Sequence, residues 1–298
     1  MQKGVVLLAF TLAALVGASA APASELIDRN ATGVELAVDR EGRALVTYRA
    51  RGGVRRVLAF GAVNARPPHV KVRQVAFKLD YAGGWGVYRR QFWRTHKNAC
   101  APYDGPALAW FVTGCRAPDG SYWAIQSWQR MLPNYGLAPN RQQASWELRL
   151  SHWRGELPQL AIKLDWAYRR YDHLYGTYMY VGHPIFGFRV TRTGKPLDTH
   201  ARNLYVDTFN SAYGPGWKRE NGFLTQNPRG NFCYGFYPHG DRPSGKGERY
   251  RATIIGPGVT PDVMWESPAP GPYNRELDLV ANDEQRTIAG DSKYCRPN

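Results

Sequence analysis

Five carboxylates stand on segments that read as strands: Asp80, Glu147, Asp165, Asp207 and Glu266. Two such groups about 5 Å apart, one with a raised pKa, could cleave a glycosidic bond with retention, and a wider pair with inversion. Each also has an ordinary use. Asp80 lies two residues from Lys78, Asp165 two from Lys163, and Glu147 two from Arg149. Residues two apart share a strand face, so local ion pairing is the first expectation for these three. Whether any two of the five converge depends on the fold.

Other catalytic patterns are missing from the sequence. It contains no GxSxG elbow, no HExxH, no P-loop and no Rossmann glycine pattern. Seven histidines, at 69, 96, 152, 173, 183, 200 and 239, lack metal-ligand spacing. "PHGD" sets His239 two residues before Asp241, which reads as a solvated loop rather than half of a metal site. His152 continues the apolar face of an alternating segment and reads as a hydrogen-bonded core or rim histidine. Neither a metal nor an organic cofactor is expected.

A second kind of chemistry has more support. "VYRRQFWRTHK" (87–97) mixes five cationic or potentially cationic side chains with three aromatics. As a strand it does not sort into faces. As a short helix it puts Tyr88 and Phe92 on one face and Arg90, Arg94 and Lys97 at i, i+4, i+7 on the other. One or two helical turns are therefore expected, with the rings inward and a cationic stripe outward. The chain has ten Trp and eighteen Tyr, many beside glycine or charge, as at Trp85, Trp93, Trp128, Trp153 and Trp217. Such rings can stack on the apolar faces of sugars while polar neighbours orient the ligand. The expected ligand-binding set is Trp85, Arg90, Trp93, Arg94, Lys97 and Trp217.

Strands must position these groups. Thirty-one glycines and twenty-one prolines cut the chain into short segments, most of which alternate. Segments 34–39, 44–50 and 54–63 read as a three-strand meander. Segments 107–114 and 121–128 read as a hairpin around "APDG", with Cys115 on one arm. In 145–153, Trp146, Leu148 and Leu150 alternate with Glu147 and Arg149. Further strands are expected at 173–181, 184–191, 203–209, 231–237, 249–255 and 262–266. "QVAFKLDYA" (74–82) and "QLAIKLDWA" (159–167) match at six of nine positions, the echo of a possible internal duplication. No long 3.6-residue period is visible. The expected fold is all-β: an antiparallel sandwich-like domain over 21–298, with short strands, long loops and at most one or two short helices.

The ends and the composition complete the reading. Lys3, the apolar run 5–17 and "ASA" at 18–20 form a signal-peptide pattern, with cleavage expected after Ala20. The apolar run is too short to span a membrane, and no later segment is long and apolar enough. Removing the leader takes away Lys3 alone, so the formal charge of +15 becomes +14. With 43% hydrophobic residues the chain can bury a core. In an exported chain four cysteines point to two disulfides, expected as Cys100–Cys115 and Cys233–Cys295 because short loops close most easily.

The function expected is a secreted, basic β protein that binds carbohydrate or an anionic cell-envelope polymer such as an acidic polysaccharide. The alternatives are a polysaccharide hydrolase or lyase using a carboxylate pair, and a structural or inhibitory envelope protein. Nucleic acid would suit the charge but not the exported address.

Overall fold

The turn chemistry divides the chain as the alternation implies. The computed structural model describes residues 24–67, 74–167, 171–184, 204–220, 222–226, 231–236 and 246–289. In chain order its first half contains β1 (Glu25–Arg29), β2 (Thr32–Val38), β3 (Ala44–Ala50), β4 (Gly53–Phe60), β5 (Lys78–Asp80), helix α1 (Trp85–Tyr88), β6 (Ala101–Pro102), β7 (Phe111–Arg116), β8 (Tyr122–Trp128) and β9 (Glu147–Trp153). The second half contains β10 (Gln159–Ala167), β11 (Tyr171–Tyr180), β12 (His183–Pro184), β13 (Leu204–Ser211), β14 (Gly214–Arg219), β15 (Gly222–Gln226), β16 (Asn231–Phe236), β17 (Lys246–Ile254), β18 (Val263–Pro268) and helix α2 (Arg275–Ala289). The fold is all-β, with every strand ladder antiparallel. Among the described residues no helix is long and apolar enough to cross a membrane.

Four sheets form. The first outer sheet runs β2-β3-β4-β5 and the first inner sheet β1-β9-β8-β7-β6. The second inner sheet runs β14-β13-β17-β18, and the second outer sheet β10-β11-β16-β15, with β12 on β11. The expected meander is β2-β3-β4. Its β3–β4 turn is Arg51-Gly52, with φ of 52° and 74°, the positive pair that a two-residue hairpin needs. The "APDG" hairpin joins β7 to β8, closed by Ala117 N–H to Ser121 O at 2.8 Å.

Alternation then layers the sheets. Val46, Tyr48 and Val57 of the first outer sheet pack on Trp123, Ile125, Leu148 and Leu150 of the first inner sheet. Val206, Tyr250, Ala252 and Ile254 of the second inner sheet pack on Ile162, Leu174, Tyr178 and Phe232 of the second outer sheet. Fully burying a side chain of this size contributes roughly 1.5–3 kcal/mol, so these two apolar layers hold the sandwiches. The remaining faces of the two inner sheets meet each other. Trp128 meets Tyr205 edge-on at 5.5 Å, and Arg251 lies 4.6 Å from the Trp110 ring.

Several segments depart from expectation. All seven residues of β9 are buried, including Glu147 and Arg149, because the second inner sheet covers their face. Trp146 precedes the strand and is 46% exposed, instead of sharing the buried face of Leu148 and Leu150. Of 74–82 only Lys78–Asp80 is strand, whereas 159–167 is strand throughout. Both echo segments end up as edge strands of outer sheets. The fifteen-residue α2 was not legible as a period. Most of the expected strand 184–191 lies outside the described residues, as do His69, His200, His239 and Asp241.

Candidate functional site

The outer face of the first outer sheet carries the 85–97 segment. That segment is not one helix. Residues Trp85–Tyr88 make a single turn that ends at Arg89 in the left-handed region (φ 54°), and Phe92–Arg94 makes a separate 3-10 turn. Tyr88 and Phe92 still stack, at 4.4 Å between ring centroids. Phe92 is buried with Leu45 and Leu58. Gly84, at φ 96°, lets the chain turn against Phe92, whose Cβ would lie 2.6 Å from an added side chain. Asp80 starts this fold-back. Its carboxylate accepts from the N–H groups of Ala82 (2.8 Å) and Val87 (2.9 Å), so it caps a turn rather than pairing with Lys78.

The break redistributes the expected cationic stripe. A groove of about 880 Å³ opens between the β2–β3 turn and this segment. Arg90 and Lys97 line it together with Arg40, His96 and Asn98, above Phe92. Arg94 is exposed but outside the lining, because after Arg89 only the 3-10 turn Phe92–Arg94 of this segment is helical and the i, i+4, i+7 register of an α-helix is never formed. Trp93 lies against Arg56 at 5.5 Å. Trp85 is 46% exposed on α1 and also outside the groove. Trp217 sits elsewhere, on β14, with Arg251 over its ring at 4.1 Å.

The groove's own carboxylates are already engaged. Asp39 shapes the turn by accepting from Arg43 N–H (2.9 Å) and Glu41 N–H (3.1 Å). Its other oxygen binds Arg43 Nε at 2.7 Å, while Arg43 Nη2 reaches Glu41 at 2.8 Å and Nη1 reaches Tyr88 Oη at 3.0 Å. The guanidinium also lies 4.9 Å from the Phe92 ring. His96 Nε2 is 3.1 Å from Arg43 O, and Asn98 Oδ1 accepts from Val38 and Cys100 N–H. Arg40, Arg90 and Lys97 make no ion pair among the described residues. Four cations therefore meet two carboxylates here, and one of the four spans both carboxylates. The sequence reading missed the turn's contribution, although "DREGR" (39–43) carried the signal: four charges in a five-residue hairpin turn.

Each of the five candidate carboxylates is held by partners outside the set of five. Glu147 is held by Arg149 at 2.8 Å, with Arg29 and Arg130 nearby. Burial pushes its pKa up, but these arginines hold it below the usual value. Asp207 is gripped by Arg219 (2.5 Å) and Arg251 (2.9 Å), and Glu266 pairs with Arg249. The Glu147–Arg149 pairing is the one the spacing implied. Asp165 lies in the outer face of β10 beside Asp278 of α2, while Lys163 pairs with Glu284 at 3.3 Å.

Ser121, His152 and Asp119 form a second hydrogen-bonded string. Ser121 Oγ is 2.8 Å from His152 Nε2 and 2.6 Å from Asp119 Oδ1, and His152 Nδ1 donates to Ala62 O at 2.5 Å. In a catalytic triad the carboxylate orients the histidine and the serine faces substrate. Here the carboxylate holds the serine, and Ser121 is fully buried. The string is structural.

Cys100 and Cys115 are joined as expected, with Cα atoms 5.7 Å apart. Cys233 is also disulfide-bonded, and its expected partner Cys295 lies outside the described residues. Among the described residues no three His, Cys, Asp or Glu side chains cluster closely enough to hold a metal ion. No family model, curated protein or solved structure matches the chain.

Proposed function

We propose that the protein is exported and binds an anionic carbohydrate polymer, such as an acidic polysaccharide of a cell envelope, in the groove between the β2–β3 turn and the 85–97 segment. The observation that carries this reading is the imbalance of the rim. Arg40, Arg90 and Lys97 are exposed and, among the described residues, unpaired, whereas Asp39 and Glu41 are both occupied by Arg43. Cations left over on a concave surface attract a polyanion from solution. The buried Phe92 and the Arg43 lattice keep the rim in place. Binding of this kind weakens with salt, since exposed charges are screened over about 8 Å at physiological ionic strength.

The test is retention on immobilised polygalacturonate, with neutral dextran as control. The triple variant Arg40→Gln, Arg90→Gln, Lys97→Gln should lose about tenfold in affinity, the sum of three modest surface contacts. Its melting temperature should stay close to that of the parent, because exposed substitutions of this kind change stability little. Arg94→Gln should bind as the parent does. Unchanged retention of the triple variant would refute the groove. A reducing-end assay on the same polymer separates binding alone from turnover.

A further inference from the structure

Helix α2 lies on the second outer sheet with its polar side inward. Asp278, Asn282 and Gln285, at i, i+4, i+7, are buried, while Leu277, Leu279 and Val280 are 58–59% exposed. A helix on a water-facing domain usually does the reverse. Polar contacts therefore carry much of its docking. Tyr175 Oη donates to Ala281 O at 2.9 Å, and Gln285 Nε2 lies 3.9 Å from Cys233 Sγ. Tyr273 Oη donates to Asp278 Oδ2 at 3.0 Å, and Asn282 Nδ2 to Oδ1 at 3.2 Å. Ile288 adds an apolar contact against Tyr175 and Cys233.

At the centre two carboxyl groups face each other. Asp165 is 1% exposed and Asp278 6%. Asp165 Oδ1 accepts from Trp166 N–H at 2.6 Å, but Oδ2 is sealed from water and receives no hydrogen bond. The Asp278 carboxyl is its neighbour across the interface, and a second carboxylate has no proton to give. Two buried carboxylates this close repel, whereas one proton between them makes a hydrogen bond. Among the described side chains, the other groups facing the pair do not supply a free cation. Lys163 of β10 is paired with Glu284 of α2. Tyr175 of β11 is kept neutral by burial, Tyr273 donates its own proton to Asp278, and Cys233 of β16 is disulfide-bonded. His173 is Asp165's ladder partner on β11.

We propose that α2 is a proton-latched element: a single proton shared by Asp165 and Asp278 holds it on the second outer sheet, and loss of that proton loosens the helix. Burial pushes Asp165 up to about 7; the Trp166 N–H pulls it back and Asp278 adds to the rise. The unconstrained group titrates near 3.8. Docking is then strongest below that value, weakens through the interval, and levels off above about 7. The latch closes in acid and slackens at neutral pH.

Hydrogen exchange of the 275–289 peptide, corrected for the intrinsic pH dependence, reads the opening directly. In the full chain the opening constant should rise by about tenfold per pH unit between pH 4 and 7. The peptide covering 204–211 serves as the reference for global unfolding. Asp165→Asn, and independently Asp278→Asn, should abolish the slope, and His173→Asn should keep it. A flat profile in the parent overturns the proposal, as does an undiminished slope in both Asp variants. So does a slope that vanishes only with His173→Asn.

Discussion

His152 stacks on Trp123 with 3.8 Å between ring centroids, inside the first sandwich, and both of its nitrogens are engaged. With the ring neutral, Nδ1–H donates to Ala62 O, and the single Ser121 hydroxyl proton is shared between Asp119 Oδ1 (2.6 Å) and Nε2 (2.8 Å); Asp119 also receives Ser121 N–H and Arg154. Burial favours this state and lowers the His152 pKa to about 4 from 6.5, against the pull of the Ala62 carbonyl and Asp119. The unfolded chain takes up a proton as pH falls through 6.5, while the folded chain does so only near 4. Stability should therefore be complete above pH 6.5 and fall by roughly 3 kcal/mol on the way to pH 4. His152→Phe keeps a ring against Trp123 but cannot titrate. Urea unfolding across that range should show a shallower slope for the variant, and identical slopes would contradict the assignment. Both His152's place on an apolar face and Glu147's pairing with Arg149 were legible from spacing. Asp80 and Asp165 were not, because their partners come from the following turn and from a helix more than a hundred residues away.

Elements divide in the same way. The meander β2-β3-β4 and the β7–β8 hairpin follow from adjacent alternating segments and their turn residues, all within about thirty residues of one another. Helix α1 and the 3-10 turn were foreseen as helical, but the backbone reversal at Arg89 splits them. That reversal answers to Gly84 packing on Phe92 and to Asp80 capping, neither of which appears in a helical wheel. Helix α2 escaped notice for the opposite reason: its buried face is Asp, Asn and Gln, so no apolar period marks it. The Cys100–Cys115 bridge closes a 15-residue separation and anchors the end of the groove-lining segment to the first inner sheet. Replacing both cysteines by serine should lower the unfolding free energy by about 3 kcal/mol. Exchange protection of 92–99 should fall with it. A loss below about 1 kcal/mol, with unchanged protection, would show that the bridge constrains little of the folded or unfolded chain.

At the scale of the whole molecule, two apolar layers flank one polar layer. In that middle layer Asp262 accepts from Ser24 Oγ (2.5 Å), Trp128 Nε1 (2.8 Å) and Gly256 N–H (3.1 Å). Burial keeps its pKa raised even with Arg149 beside it. Arg149, itself buried, joins Glu147 to this network and donates to Ser24 O at 2.9 Å. Removing one partner of a buried charge set leaves the others uncompensated. Arg149→Met should therefore cost about 3–5 kcal/mol in denaturant unfolding. Glu147→Gln in the same background should recover part of it. A loss under about 1 kcal/mol would mean that the two inner sheets do not depend on this network. The sequence by itself determined many of the strands, though not β1, β14 or β15, together with the all-β class, the nearest pairings and the first disulfide, because each depends on side-chain alternation or on short loops. Alternation divides a strand into two faces but says nothing of what covers the second. Only the tertiary structure decided that Glu147, Arg149, Asp207 and Arg251 are buried between sheets and that α2 turns its polar side inward. It also decided that Arg40 joins Arg90 and Lys97 around one groove, since each of these depends on contacts between segments far apart in the chain.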